Sequence, residues 1–175
     1  MRVDDRQPGK HLIFVCTGNY YRSRIAEALF RDGLPAGSDW EPVSRGLAVT
    51  GALRGLAPEA RDFLESLGIV PPSGDPAPLL VDELAAADRV VLLNRSEHEP
   101  MIEREFRAVY RLLLAKNAIT LWNVFDLPQK KPAWGKELPP SQPAPSATEH
   151  IRFAVKELLR QLAPACDNPP LSKCP

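Results

Sequence analysis

Short apolar runs alternate with amphipathic stretches along this chain. His11 to Cys16 (HLIFVC) is apolar without helical periodicity and has the length of a strand. A turn-forming patch, TGNYY, follows, and from Arg22 the pattern becomes helical, with Ile25, Ala26, Leu29 and Phe30 on one face. Residues 41–49 predict a second short strand ending near Ser44. Pro58 stands where helices open, and Ala60, Phe63, Leu64 and Leu67 recur at helical spacing before Gly68, which reads as the stop. Asp88 to Asn94 (DRVVLLN) is the clearest buried strand, and a polar helical stretch runs from about Ser96 to Tyr110. Ala118 to Val124 predicts a fourth strand. Residues 127–145 are dense in proline and read as a structureless loop. Ser146 and Glu149 then form a capping box that opens a last helix, with Ile151, Val155, Leu158 and Leu162 facing a sheet. Strands alternating with helices predict an α/β fold, its parallel sheet covered on both faces through right-handed crossovers.

At 175 residues the chain suits one domain with a sizeable core, expected over residues 1–165, with a disordered tail at 166–175. Lys plus Arg equals Asp plus Glu at 22 each, so no global field favours nucleic acid or an anionic membrane, and any anion site must be local. The apolar runs are far shorter than a membrane span, and the polar start MRVDDRQPGK is unlike a secretory signal. A cytoplasmic location is expected. Three cysteines, Cys16, Cys166 and Cys174, argue against a disulfide framework. His11, His98 and His150 are scattered, without metal-ligand spacing, so a zinc site has no support; no cofactor is expected.

Cys16 ends a strand immediately before a loop and a helix. The N–H groups of such a loop and of the helix's first turn lack helical partners and converge on one point. The macrodipole adds about half a positive charge there, which suits a phosphate and favours thiolate over thiol. Arg22 closes the loop, and its planar fork can hold two phosphate oxygens. A thiolate beneath a phosphate held this way is arranged for in-line phosphoryl transfer.

The run FVCTGNYYRSRIAEALFR resembles the signature of the low-molecular-weight protein tyrosine phosphatase family. Val43-Ser44-Arg45-Gly46 is similar to that family's Val-Ser-Ala-Gly strand end, DRVVLLN to its third strand, and Phe125-Asp126-Leu127-Pro128 to its Asp-Pro acid loop. The resemblance implies a flavodoxin-like three-layer sandwich with a four-stranded parallel sheet in order 2-1-3-4. It also implies roles. Cys16 would be the nucleophile forming a phosphocysteine, and Arg22 would bind the phosphoryl oxygens. Ser23 would donate to the thiolate, and Asp126 would be the general acid and then base. Thr17, Gly18, Asn19, Tyr20, Tyr21 and Arg22 would cradle the phosphate, with Asn19 and Ser44 supporting the loop's backbone.

Several positions depart from the family pattern. Tyr21 replaces a second cysteine that many members use to protect the nucleophile through a reversible disulfide. A leucine separates Asp126 from Pro128, an aromatic wall is missing near Thr50, and no histidine stands near Ser73 to buttress Asn19. Tyr20 stands where the phosphoarginine-directed branch has threonine, so that specificity is unsupported; Tyr20 and Trp134 are candidates for an aromatic surface, and Trp134 reads slightly better as a hydrophobic anchor pinning the loop. Arg24 replaces a proline and reads as a solvated helix residue. The expected function is a phosphomonoester hydrolase, a protein-tyrosine phosphatase acting on a phosphorylated protein or small phosphomonoester. Two alternatives stand beside it. One is an arsenate reductase-like enzyme, although Cys166 and Cys174 lie too near the C-terminus for the usual relay. The other is a weakly active phosphate-binding regulatory module, motivated by Tyr21.

Overall fold

A computed structural model describes residues 9–126 and 146–162. The proline-rich segment with Trp134, and Cys166 and Cys174 in the tail, lie outside the described residues. The elements, in chain order, are β1 (Lys10–Cys16), α1 (Arg22–Gly33), β2 (Trp40–Gly46), α2 (Pro58–Ser66), α3 (Val81–Ala86), β3 (Arg89–Leu92), α4 (Arg95–Ala115), β4 (Ile119–Leu121) and α5 (Ala147–Leu162). The described strands form one parallel sheet in the expected order, β2-β1-β3-β4.

The run that reads as uniformly apolar in β1 divides by the period of two that a strand imposes. Leu12, Phe14 and Cys16 face a core built with Ile25 and Phe30 of α1, Leu64 of α2, and Ile151, Val155 and Leu158 of α5. Ile13 and Val15 face the opposite core, with Leu84 of α3 and Ile102, Tyr110 and Leu113 of α4. The sheet is therefore the middle of three layers. Phe14 is fully buried, edge-on to Phe30 at 5.7 Å between centroids and tilted against Trp122 at 5.9 Å. Its truncation to alanine would cost about 3–5 kcal/mol.

The expected elements are present with shifted ends: α4 runs past Tyr110 to Ala115, and some strands are shorter than expected. The predicted strand at 118–124 is a strand only at Ile119–Leu121. Beyond it the Trp122 carbonyl accepts from the N–H of Arg95, and the N–H of Val124 reaches the Leu93 carbonyl, so the chain bends across the sheet's end. Gly68 ends α2 as expected. It takes a φ of 73°, and the following N–H, of Ile69, closes onto the Leu64 carbonyl at 3.0 Å. The Ser146–Glu149 capping box is formed in both directions, with Ser146 N donating to Glu149 Oε2 at 3.1 Å and Glu149 N to Ser146 Oγ at 3.3 Å. Helix α3, short and with Leu84 its one buried side chain, was not apparent in the sequence pattern. No helix among the described residues is long and apolar enough to cross a membrane.

Candidate active site

The carboxyl ends of β1 and β2 and the N-termini of α1 and α4 meet at one end of the sheet. In open parallel sheets this is where ligands bind, at the point where strand order reverses. Cys16 is the last residue of β1 and Arg22 the first of α1. The loop between them borders a cavity of about 540 Å³ lined by Cys16, Thr17, Tyr20, Tyr21, Arg22 and Asp126, and also by Thr50, Leu53 and Glu59.

Asn19 holds the loop's shape. Its φ is 49°, a left-handed conformation that asparagine tolerates better than most residues. The buried side chain donates from Nδ2 to Ser23 Oγ and Ser44 Oγ, both at 3.0 Å, and its Oδ1 accepts from the N–H of Ala77 at 2.9 Å. That backbone amide does for Asn19 what no histidine near Ser73 is available to do. Ser44, at the end of β2, passes its own hydrogen to Glu27 Oε2 at 2.5 Å. Because Ser23 Oγ accepts from Asn19, its hydroxyl hydrogen is free to point at Cys16 Sγ, 3.0 Å away.

Gly46 explains how the loop closes against β2. A Cβ there would lie 2.9 Å from the Thr17 carbonyl oxygen and 3.0 Å from the Asn19 nitrogen. Tyr21, in place of the family's second cysteine, buries its ring in the α1–α2–α5 core. Burial, then Asp126 and Glu59, raise its pKa.

Arg24 overturns the expectation of a solvated helix residue. It is 3% exposed, and its guanidinium donates to the carbonyls of Pro72, Ser73 and Gly74 at 3.0, 2.8 and 3.0 Å. Burial lowers its pKa, with Glu27 and Asp75 opposing. The planar fork thus ties α1 to the loop that delivers Ala77 to Asn19.

Arg22 is buried and engages two carboxylates. Nη1 and Nη2 donate to Glu97 Oε2 and Oε1 at 2.7 and 3.0 Å, and Nη2 also donates to Asp126 Oδ2 at 3.0 Å. Burial disfavours its charge, but Glu97, Asp126 and Cys16 together raise its pKa. Reading the sequence missed Glu97 and His98, at the start of α4. The Arg22 partnership carries Glu97 down to about 2 against the cost of burial, with help from the Thr17 hydroxyl, which donates to Oε1. His98 is wholly buried, and burial holds its pKa down at about 4 despite Glu97. The available signal was positional: both follow the carboxyl end of β3, beside the switch point. Among the described residues no group of His, Cys, Asp and Glu is arranged to hold a metal ion.

A loop that runs from a cysteine at the end of the first strand to an arginine opening the first helix, on a parallel sheet of order 2-1-3-4, places the protein in the α/β class. The family model for low molecular weight phosphotyrosine protein phosphatase matches residues 11–131, and the chain belongs to that family. Its fold is shared with the Erwinia amylovora tyrosine phosphatase AmsI, at 17% identity over 93% of this chain and 99% of that one, with a TM-score of 0.65. It is also similar to the YwlE arginine phosphatase from Geobacillus stearothermophilus, at 22% identity over 86% of each chain and a TM-score of 0.56. A third likeness is to a thioredoxin-dependent arsenate reductase from Corynebacterium glutamicum, at 20% identity over 91% of this chain and 62% of that one, with a TM-score of 0.51. At these identities the likeness is one of fold. No curated protein matches the sequence significantly.

Proposed function

We propose that the chain is a cysteine-dependent phosphomonoester hydrolase, a protein-tyrosine phosphatase working through a phosphocysteine. The observation that carries this reading is the approach of Ser23 Oγ to Cys16 Sγ at 3.0 Å, in a cavity walled also by Arg22 and Asp126. Cys16 Sγ attacks phosphorus from the cavity floor, and the bond to the ester oxygen breaks as Asp126 gives that oxygen its proton. The loop's N–H groups and Arg22 take the equatorial oxygens, whose charge they match best in the transition state. Water, deprotonated by Asp126, then attacks the phosphocysteine, and the departing sulfur is stabilised by the Ser23 hydroxyl. Tyr20, Tyr21 and Leu53 offer the walls an aryl phosphate needs.

The test is hydrolysis of an aryl phosphate and of phosphotyrosine peptides, with vanadate as inhibitor. Cys16→Ser is expected to abolish turnover, and activity that survives it would end this reading. Phosphoarginine peptides and arsenate with thioredoxin, assayed alongside, separate the tyrosine assignment from the chemistries named for the fold's other relatives.

One observation favours a second reading, a phosphate-binding module with little turnover. Arg22, the residue that should meet the phosphoryl group, already holds two carboxylates. Tight vanadate binding without measurable hydrolysis would support it.

A further inference from the structure

Asn94-Arg95-Ser96-Glu97 spells a capping box at the start of α4, and half of it is built: Asn94 Oδ1 accepts from the N–H of Glu97 at 3.1 Å. In such a box the glutamate ordinarily reaches back to the N–H of the capping residue. Here that N–H donates to His98 Nδ1 instead, at 3.0 Å. The Glu97 carboxylate is thereby released from its helix and turns to Arg22.

The five N–H hydrogens of Arg22 show what Glu97 does there. Two belong to Nη1 and go to Glu97 Oε2 and the Val124 carbonyl, at 2.7 and 3.3 Å. Two belong to Nη2 and go to Glu97 Oε1 and Asp126 Oδ2. The fifth, on Nε, has no hydrogen-bond partner among the described residues. Glu97 therefore chelates the guanidinium end-on and fixes its plane. The side edge, Nε with Nη2, is left for a phosphoryl group once Asp126 moves off.

Glu97 is itself steered. The Thr17 hydroxyl donates to Oε1, and Thr17 Oγ1 lies 3.3 Å from His98 Nε2. Since Nδ1 accepts the Asn94 N–H, the neutral ring carries its proton on Nε2, directed at Thr17. Donation thus runs one way, from Asn94 N–H to His98, from His98 to Thr17, and from Thr17 to Glu97.

We propose that Glu97, oriented by the Thr17 hydroxyl and the His98 ring, is the positioning residue that aims the side edge of Arg22 at the phosphoryl group. This role rests on the phosphatase reading for its effect on turnover, but not for its effect on oxyanion binding. The test compares the full chain with Thr17→Val, Thr17→Ser, His98→Gln and Glu97→Asp, the last keeping the charge but too short to chelate from the same backbone. Vanadate affinity by calorimetry, kcat and KM for an aryl phosphate, and thermal midpoint are read for each. Thr17→Val and Glu97→Asp are expected to weaken vanadate binding and lower kcat by about tenfold or more, with Thr17→Ser restoring both, as misaimed catalytic groups do. His98→Gln, which keeps a donor toward Thr17, is expected to fall between. Folded Thr17→Val and Glu97→Asp that bind vanadate like the parent would overturn the proposal, whatever their thermal midpoints. A parent that binds vanadate without hydrolysing any phosphomonoester would defeat the phosphatase reading alone. Weakened binding in the variants would then still support the positioning role.

Discussion

Asp126 Oδ2 lies 3.0 Å from Arg22 Nη2, on the hydrogen that a phosphoryl oxygen would take. Under the phosphatase reading the carboxylate and a phosphoryl oxygen would compete for one donor, and binding would displace Asp126 from it. On the proposed mechanism, that displacement would free the carboxylate for the leaving oxygen. Asp126→Asn keeps the shape and removes both the charge and the transferable proton. Turnover of an aryl phosphate is expected to fall by about 10²–10⁴-fold while vanadate binds equally or more tightly. A parental rate in this variant would remove Asp126 from the chemistry.

Gly46 is a point of close backbone approach between β2 and the Cys16–Arg22 loop. The Cβ of Gly46→Ala would meet Val49 Cγ2 at 2.6 Å and two backbone atoms of the loop at 2.9 and 3.0 Å. A valine methyl can rotate away, but the Thr17 carbonyl and Asn19 nitrogen can move only by deforming the cradle. The variant should lose about 1–3 kcal/mol to overpacking, seen as a lower urea midpoint. Its vanadate affinity should fall as well. Unchanged affinity would mean that the loop tolerates the shift.

Arg24 makes a prediction about the distant side of the loop. Arg24→Met leaves three carbonyls without their charged donor and is expected to cost about 2 kcal/mol or more. Arg24→Lys should recover only part, because an ammonium cannot match a planar fork spread over Pro72, Ser73 and Gly74. Equal stability of the parent and Arg24→Met by chemical denaturation would contradict this.

The pair behind Arg22 makes the fold sensitive to acid. His98 has a pKa of about 4 in the folded protein, below its ordinary 6.5. As pH falls, the unfolded chain takes up this proton first, so stability is lost from pH 6.5 to about 4. The loss is on the order of 3 kcal/mol. Glu97, depressed from 4.5 to about 2, contributes stability that is present above pH 4.5 and lost as pH falls to about 2. Urea midpoints measured from pH 7 to 4 should therefore decline, and His98→Gln should flatten that decline. An equally steep decline in the variant would place the proton uptake elsewhere.

Much of this site was legible in the chain because its parts are local. A strand-length apolar run, a Gly-Asn turn and an amphipathic helix put Cys16, Arg22 and Ser23 within one short segment, where backbone geometry alone brings them together. The left-handed Asn19 and the Ser146 capping box are local in the same sense. The sheet order came from the family resemblance, since an alternation of strands and helices admits more than one order.

What only the tertiary structure decided involves long separations. Glu97 and Arg22 stand 75 positions apart, and nothing in NRSEH distinguishes a glutamate closing its own capping box from one released to an arginine across the sheet. The release depends on the N–H of Asn94 finding His98, which depends on how α4 leaves β3. Arg24 looked like a surface residue because charged side chains usually are. It is buried because the loop at 72–74 turns three carbonyls toward it, and a carbonyl's direction is a property of the folded backbone that no residue name records.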